Sequence, residues 1–336
     1  MKIEDLEKID SKKMFRVYDQ CYENSKLSYE QDFSIPDFKN IDHIVFAGMG
    51  GSGTIGDVFS SILSQNDIHT TVVKGYLLPK TVDTNTLVVT TSISGNTKET
   101  LTVLQNSLKT DAKILAFSSG GKMGELVKNN RNIKYFKINQ IHSPRASFFG
   151  FLYSTLNILQ GILPIKKSDI NNSLNELKIL QNKIGSSNLV EENPALDLAK
   201  WIKEIPLIYY PSGLQSAATR FKNSLQENAK MHVITEDVVE ASHNGIVAWE
   251  GQRNVQPILL QGKDDYEKTR ERWGIIKKFF EEEGIDYREV FSNNGKILSK
   301  IVCLIYFLDY VSIYRSIFSG IDPSPVIPID FIKKKL

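Results

Sequence analysis

Residues 44–55 read Ile44-Val45-Phe46-Ala47-Gly48-Met49-Gly50-Gly51-Ser52-Gly53-Thr54-Ile55. Four apolar residues make a strand-type run, and a glycine-rich turn follows. Ile55, Val58, Phe59 and Ile62 then recur at helical spacing. The unit is strand, turn, helix, and the chain repeats it. His69 to Val73 is a short β-branched run. Leu87-Val88-Val89-Thr90-Thr91 is apolar or β-branched throughout, as a strand buried on both faces requires. It enters a second turn, Ser92-Ile93-Ser94-Gly95-Asn96-Thr97, and then a helical pattern through Leu101 and Leu104. Strands are also expected at Lys113 to Phe117 and Tyr135 to Ile138, with a helix ending near Val127. Strands alternating with helices predict a doubly wound α/β domain around a mostly parallel sheet.

Working outward, residues 1–40 read as a helical N-terminal extension, 41–160 as the first domain and 161–200 as a helical linker. The alternation restarts in 201–336, read as a second domain of the same kind. Leu207-Ile208-Tyr209-Tyr210 is its first strand, Pro211-Ser212-Gly213 a turn, and Ala217 to Met231 a helix. Val255 to Leu260 and Tyr287 to Phe291 are further strands, with a helix over Glu267 to Glu283. Ile297 to Ile317 is a long helical pattern, and the chain closes on a basic tail, Lys333-Lys334-Lys335.

The 336 residues suit two domains at ~100–200 residues each. With 41% hydrophobic and 24% charged residues the chain has the composition of a globular protein, and disorder is excluded. Forty-one Lys plus Arg against 39 Asp plus Glu leave a net charge of +2, no electrostatic basis for binding nucleic acid or an anionic membrane. Cys21 and Cys303 stand far apart without a Cys-x-x-Cys, which excludes a disulfide scaffold and a zinc ribbon and suits a reducing cytoplasm. Four acids among the first ten residues rule out a signal-peptide core there. The longest uninterrupted apolar run, Ile301 to Leu308, falls short of the ~18 residues of a membrane span, so none is expected.

Gly48, Gly50 and Gly53 satisfy G-x-G-x-x-G, which in a dinucleotide fold brings the backbone against a pyrophosphate. Such a fold also wants an acid after the next strand, to hold the ribose. Here that strand ends Val72-Val73-Lys74-Gly75. The second turn instead supplies the hydroxyls of Ser92, Ser94 and Thr97. Two hydroxyl-bearing turns after successive long strands open onto one crevice, a site for a phosphate dianion without metal. Each turn taken alone reads first as an ordinary Ser/Gly/Asn turn; together they point to phosphate.

These two turns resemble those of the sugar-isomerase (SIS) domain, and the chain is most similar to the bifunctional phosphoglucose/phosphomannose isomerases. The resemblance extends over Ser143-Pro144-Arg145-Ala146, Gln226-Glu227-Asn228-Ala229-Lys230, Ser242-His243-Asn244 and Gly320-Ile321-Asp322-Pro323-Ser324-Pro325-Val326. It implies two tandem SIS domains and an aldose–ketose isomerase. Glucose 6-phosphate and mannose 6-phosphate would each interconvert with fructose 6-phosphate through a cis-enediol, with no cofactor.

Taken bare, Glu227 is a helix glutamate off the apolar stripe of Ala218, Phe221, Leu225 and Ala229, solvated or paired with Lys230. The resemblance makes it the base that carries the proton between C1 and C2. His243, bare, is a loop histidine, of a residue type readily poised near neutral pH. The resemblance brings it into the site from the partner of a homodimer to assist ring opening. Arg145 is a surface ion pair or a stabiliser of enediolate charge. Lys333 is part of a solvated tail or, by the resemblance, an essential lysine, with Lys334 one register away. The resemblance assigns phosphate binding to Gly51, Ser52, Ser92, Ser94 and Thr97, and tolerance of both epimers to Ser324. Gly245 stands where relatives carry an acid. No His/Asp/Glu cluster has metal-ligand spacing, so no metal is expected. Three other readings remain beside the isomerase. They are a sugar-phosphate-binding regulator lacking the catalytic set, the isomerase half of an aminosugar synthase, and a nicotinamide dehydrogenase.

Overall fold

The protein is described by a computed structural model covering residues 1–251 and 253–335. Contacts divide the chain into two compact units, residues 20–174 and residues 1–19 with 175–336. The N-terminal segment expected as one extension is therefore shared. Helices Ile3–Ile9 and Met14–Tyr18 belong to one unit and helix Cys21–Glu30 to the other.

In the unit 20–174, β1 (His43–Ala47), β2 (His69–Val73), β3 (Thr86–Thr91), β4 (Lys113–Ser118) and β5 (Ile133–Lys137) form one sheet in the order β2-β1-β3-β4-β5. Every pairing is parallel. Every residue of β1 and β3 is buried, as their unbroken apolar and β-branched sequences require. Phe46 of β1 stacks on Phe59 of helix Gly50–Leu63 at 5.1 Å between ring centroids. Phe59 is fully buried and contributes about 1.5–3 kcal/mol by its transfer from water. Helix Phe148–Ile158 is apolar all round, and all of its residues are buried.

The other unit carries β6 (Ile205–Tyr210), β7 (Ile234–Asp237), β8 (Val255–Gln261) and β9 (Arg288–Phe291), again parallel, in the order β7-β6-β8-β9. Strand β7 goes unrecognised in the sequence because Ile234-Thr235-Glu236-Asp237 lies at the sheet edge and has one apolar residue. The core on one face gathers Tyr209, Leu259, Trp249, Trp273 and Phe280. Two parallel sheets with flanking helices bear out the predicted class.

Two helices differ from the sequence reading. Helix Ile297–Phe318 is, by length and composition, apolar enough to cross a bilayer, although its longest unbroken apolar run is short. Of its most apolar stretch, 83% is buried inside the fold, which makes it a core helix. The basic tail is also helical over Ile327–Lys335, with no residue buried; Ile327, Phe331 and Ile332 are exposed.

Candidate active site

The strand order of the first sheet reverses between β1 and β3. Chains leaving the carboxyl ends of these neighbours turn in opposite directions, which opens a crevice between them. The two turns singled out in the sequence both stand at this point. The first leads from β1 into helix Gly50–Leu63, whose first turn carries Gly51 and Ser52. The second leads from β3 to Thr97, immediately before helix Lys98–Ser107. They are bonded to each other, since Ser52 Oγ accepts from the Ile93 N–H at 3.3 Å. Within the second turn Ser92 Oγ donates to Thr97 Oγ1 at 2.9 Å, and Gly95 N–H donates to the Ser92 carbonyl at 2.8 Å. Ser94 Oγ accepts from Asn96 N–H at 3.3 Å. Ser52 and Ser92 are buried, whereas Ser94 and Thr97 are half-buried at the rim.

A third turn, after β4, buttresses the second. Ser119 N–H donates to the Ile93 carbonyl (3.0 Å), Met123 N–H to the Gly95 carbonyl (2.9 Å) and Lys122 N–H to Asn96 Oδ1 (3.1 Å). Gly95 has φ +70°, and a Cβ there would stand 1.9 Å from the Gly120 carbonyl oxygen, so no other residue fits. Lys74, at the end of β2, lies alongside the first turn and pairs with Asp57 at 2.6 Å. Sequence reasoning used Lys74 only to note a missing acid. The signal available was a cation after the strand next to a glycine-rich turn. Burial raises the Asp57 carboxyl and Lys74 opposes that shift. Arg145, in the turn before helix Phe148–Ile158, is buried, which removes the surface ion-pair reading. Ser147 Oγ braces that turn by accepting from Ile141 N–H at 2.8 Å.

In the second sheet the turn after β8, the counterpart of β3, carries a half-buried acid. The turn after β8 is filled by Asp265, whose carboxylate accepts from Gly262 N–H (3.0 Å) and Trp273 Nε1 (3.1 Å). Burial raises that carboxyl above its usual range. In this turn a carboxylate takes the backbone N–H bond, where the turn after β3 has the Ser92 and Ser94 hydroxyls.

Glu227 is not on a regular helix. The expected Ala217–Met231 helix is α-helical over Gln215–Ser224 and widens to a π-turn over Leu225–Ala229. Lys230 closes it with φ +56°, and its N–H donates to the Leu225 carbonyl, five residues back. Lys230 Nζ donates to the backbone carbonyls of Glu227 (2.5 Å) and Pro325 (2.8 Å). The turn carrying Glu227 is thereby tied to the loop carrying Ser324. Ser324 is buried, its N–H donates to Asp322 Oδ1 (2.9 Å), and its Oγ donates to Asp10 Oδ1 (3.2 Å). Glu227 itself is half-buried. π-turns are rare and concentrate at functional sites.

His243 follows the short helix Val238–Ala241 and precedes a 3-10 turn over Gly245–Glu250; it is exposed. Lys333 and Lys334 are exposed on helix Ile327–Lys335. The departure at Gly245 has a structural counterpart. A Cβ there would lie 2.5 Å from Glu236 Oε2, so a carboxylate from β7 fills the space beside residue 245. That oxygen is buried without a hydrogen-bond partner, and burial raises the carboxyl above its usual range. Among the described residues no group of three or more His, Cys, Asp or Glu side chains is arranged to hold a metal ion.

The SIS domain family matches residues 37–160, and the bacterial phospho-glucose isomerase C-terminal SIS domain matches residues 191–336. A bifunctional phosphoglucose/phosphomannose isomerase of Caldicellulosiruptor bescii is 31% identical over 309 residues, 89% of this chain and 90% of that protein. The chain belongs to this family. It is an isomerase of the intramolecular oxidoreductase class, built of two SIS domains. The D-glucosamine-6-phosphate 4-epimerase of Sulfolobus acidocaldarius is 30% identical over 247 residues, covering 71% of this chain and 76% of that protein. Among solved structures, a hypothetical protein from Thermus thermophilus superposes with a TM-score of 0.74 over 98% of this chain and 92% of that one. At 13% identity that likeness speaks for the fold.

Proposed function

We propose that the chain interconverts glucose 6-phosphate and mannose 6-phosphate with fructose 6-phosphate. The observation that carries the reading is the pair of hydroxyl-rich turns joined at the order reversal of the first sheet, in a chain of this isomerase family. The Ser52, Ser92, Ser94 and Thr97 hydroxyls, with N–H groups of the helix start at Gly51, bind the dianionic phosphate. Glu227 removes the C2 proton of the open aldose and returns it to C1, and the reverse step uses the same group. His243, contributed by a second copy of the chain, moves the proton that opens the ring. Arg145 and Lys333 stabilise charge developing on the enediolate oxygens. Ser324 leaves room for rotation about C2–C3, so that the proton returns to either face. Proton transfer by a carboxylate needs no metal in this scheme.

The test is a coupled assay with each hexose phosphate on wild-type protein and Glu227→Gln. This change keeps size and removes basicity. Expected is a fall in kcat of about 10²–10⁴-fold with little change in KM, parallel for both epimers. Survival of one activity without the other would require two bases. No turnover of either aldose, with C4 epimerisation of an amino sugar phosphate instead, would overturn the reading.

A further inference from the structure

Beneath the π-turn lies a polar cluster that none of the roles above uses. Arg220, Ser224, Asn228, Asp309 and Ser312 are each at most 2% exposed, so every one of them needs partners. Asp309 accepts from Arg220 Nε (3.1 Å) and Nη2 (2.9 Å) and from Ser224 Oγ (2.5 Å). Burial works to lower the Arg220 guanidinium. Asp309 outweighs burial and holds it above its usual range, and Glu227 adds to the same effect. Ser312, one turn beyond Asp309 on helix Ile297–Phe318, accepts from Asn228 Nδ2 at 2.8 Å and donates to the Asp309 carbonyl at 2.6 Å.

The spacing reveals what this cluster does. An α-helix turns about 100° per residue, so a residue seven positions on returns to within about 20° of the first. Glu227 lies seven residues after Arg220. Had helix Gln215–Ser224 continued unbroken, Glu227 would point inward towards Ser312, the place that Asn228 fills. The extra residue of the π-turn shifts the register by one. Asn228 then takes the inward place and meets Ser312, and Glu227 is displaced from it. A buried ion pair is a weak source of net stability, and its best-attested use is to fix register.

We propose that Asn228, held by Ser312, is a positioning residue. It occupies the inward place that Glu227 would take in a continuous helix and so presents the Glu227 carboxylate to substrate. The inference rests on Glu227 being the base of the reaction proposed above.

The experiment compares Asn228→Ala, Ser312→Ala and Ser312→Thr, alone and with Glu227→Gln, in the full chain. Asn228→Ala and Ser312→Ala should lower kcat for fructose 6-phosphate at least tenfold with KM within twofold. Ser312→Thr keeps the hydroxyl and should restore most of that loss. In the Glu227→Gln background Asn228→Ala should cost little more, because it acts through the group already removed. The Lys230 amide, which closes the π-turn, should exchange faster with solvent in Asn228→Ala than in wild type. If Asn228→Ala lowers kcat as much on top of Glu227→Gln as alone, or if both alanine variants keep wild-type kcat while Glu227→Gln is inactive, the inference falls by itself. Full activity in Glu227→Gln would remove the base assignment and the inference with it. Should Asn228→Ala fail to fold, the contrast between Ser312→Ala and Ser312→Thr decides alone.

Discussion

Gly95 and Gly50 both have positive φ, +70° and +52°, in the two turns of the first sheet, yet their surroundings predict different costs of alanine. At Gly50 an added Cβ meets nothing within 4 Å, leaving only the backbone penalty of about 1–2 kcal/mol for an L-residue in the left-handed region. At Gly95 the Cβ would sit 1.9 Å from the Gly120 oxygen and 2.7 Å from its carbonyl carbon, both backbone atoms that no rotamer can move aside. The second and third turns must then move apart, which strains the bonds from Met123 N–H to the Gly95 carbonyl and from Ser119 N–H to the Ile93 carbonyl. At about 1 kcal/mol per hydrogen bond, with the backbone penalty, Gly95→Ala should cost about 3–4 kcal/mol. The same displacement moves Ser94 and the N–H groups around it. Binding of a hexitol 6-phosphate, which cannot be isomerised, should therefore weaken at least tenfold. Chemical denaturation and calorimetric titration of both variants provide the readout. Equal destabilisation by the two alanines, or undiminished affinity in Gly95→Ala, would show that the contact between the turns does not shape the anion site.

Three further outcomes are expected. Inactive Glu227→Gln and inactive His243→Ala subunits, mixed under verified exchange, should recover about a quarter to a half of wild-type activity, since closed two-fold dimers are the commonest oligomers; no recovery would place both groups within one chain's own site. Gly245→Ala should lower activity by pressing on the Glu236 carboxylate at 2.5 Å, and Glu236→Ala should relieve it; an unaffected Gly245→Ala would mean that the 236–245 contact is slack. His43 is buried beside His69, Asp42 and Asp83, and its imidazole is held below the usual 6.5, chiefly by burial. The unfolded chain then binds more protons than the folded one below about pH 6.5, so stability should fall as pH drops through that region. His43→Gln should flatten that slope in denaturation midpoints, and an unchanged slope would clear His43 of responsibility.

The turns of the first sheet were legible because local chemistry sets them. Apolar strands that end in Gly and Ser leave few alternatives, and Ile44–Ala47 and Leu87–Thr91 carry no competing pattern. The π-turn was not legible, since the partners of Ser224 and Asn228 on either side of it, Asp309 and Ser312, lie more than eighty residues away. Strand β7 was missed for a similar reason. Its four residues become a strand by pairing with β6, and nothing in Thr235-Glu236-Asp237 demands it. The tail read as solvated lysines because Lys333, Lys334 and Lys335 dominate it, whereas its helix shows only in the spacing of Ile327, Phe331 and Ile332. Arg145 looked as much like a surface ion pair as an active-site cation, and only its burial separates the two.

The contrast between the two carboxyl edges, hydroxyls in the first sheet and Asp265 in the second, has a consequence for selectivity. Two similar domains could offer two footholds for a sugar phosphate, and the proposed reading uses the one in the first sheet. Under the proposed reading that foothold grips C6, the end at which glucose and mannose phosphates are identical. A clasp fastened to the shared end of two keys holds both equally well and reads nothing of their teeth. Breadth towards the two epimers is then the default state of such an anchor, and discrimination between them would have to be added at C2 by further contacts.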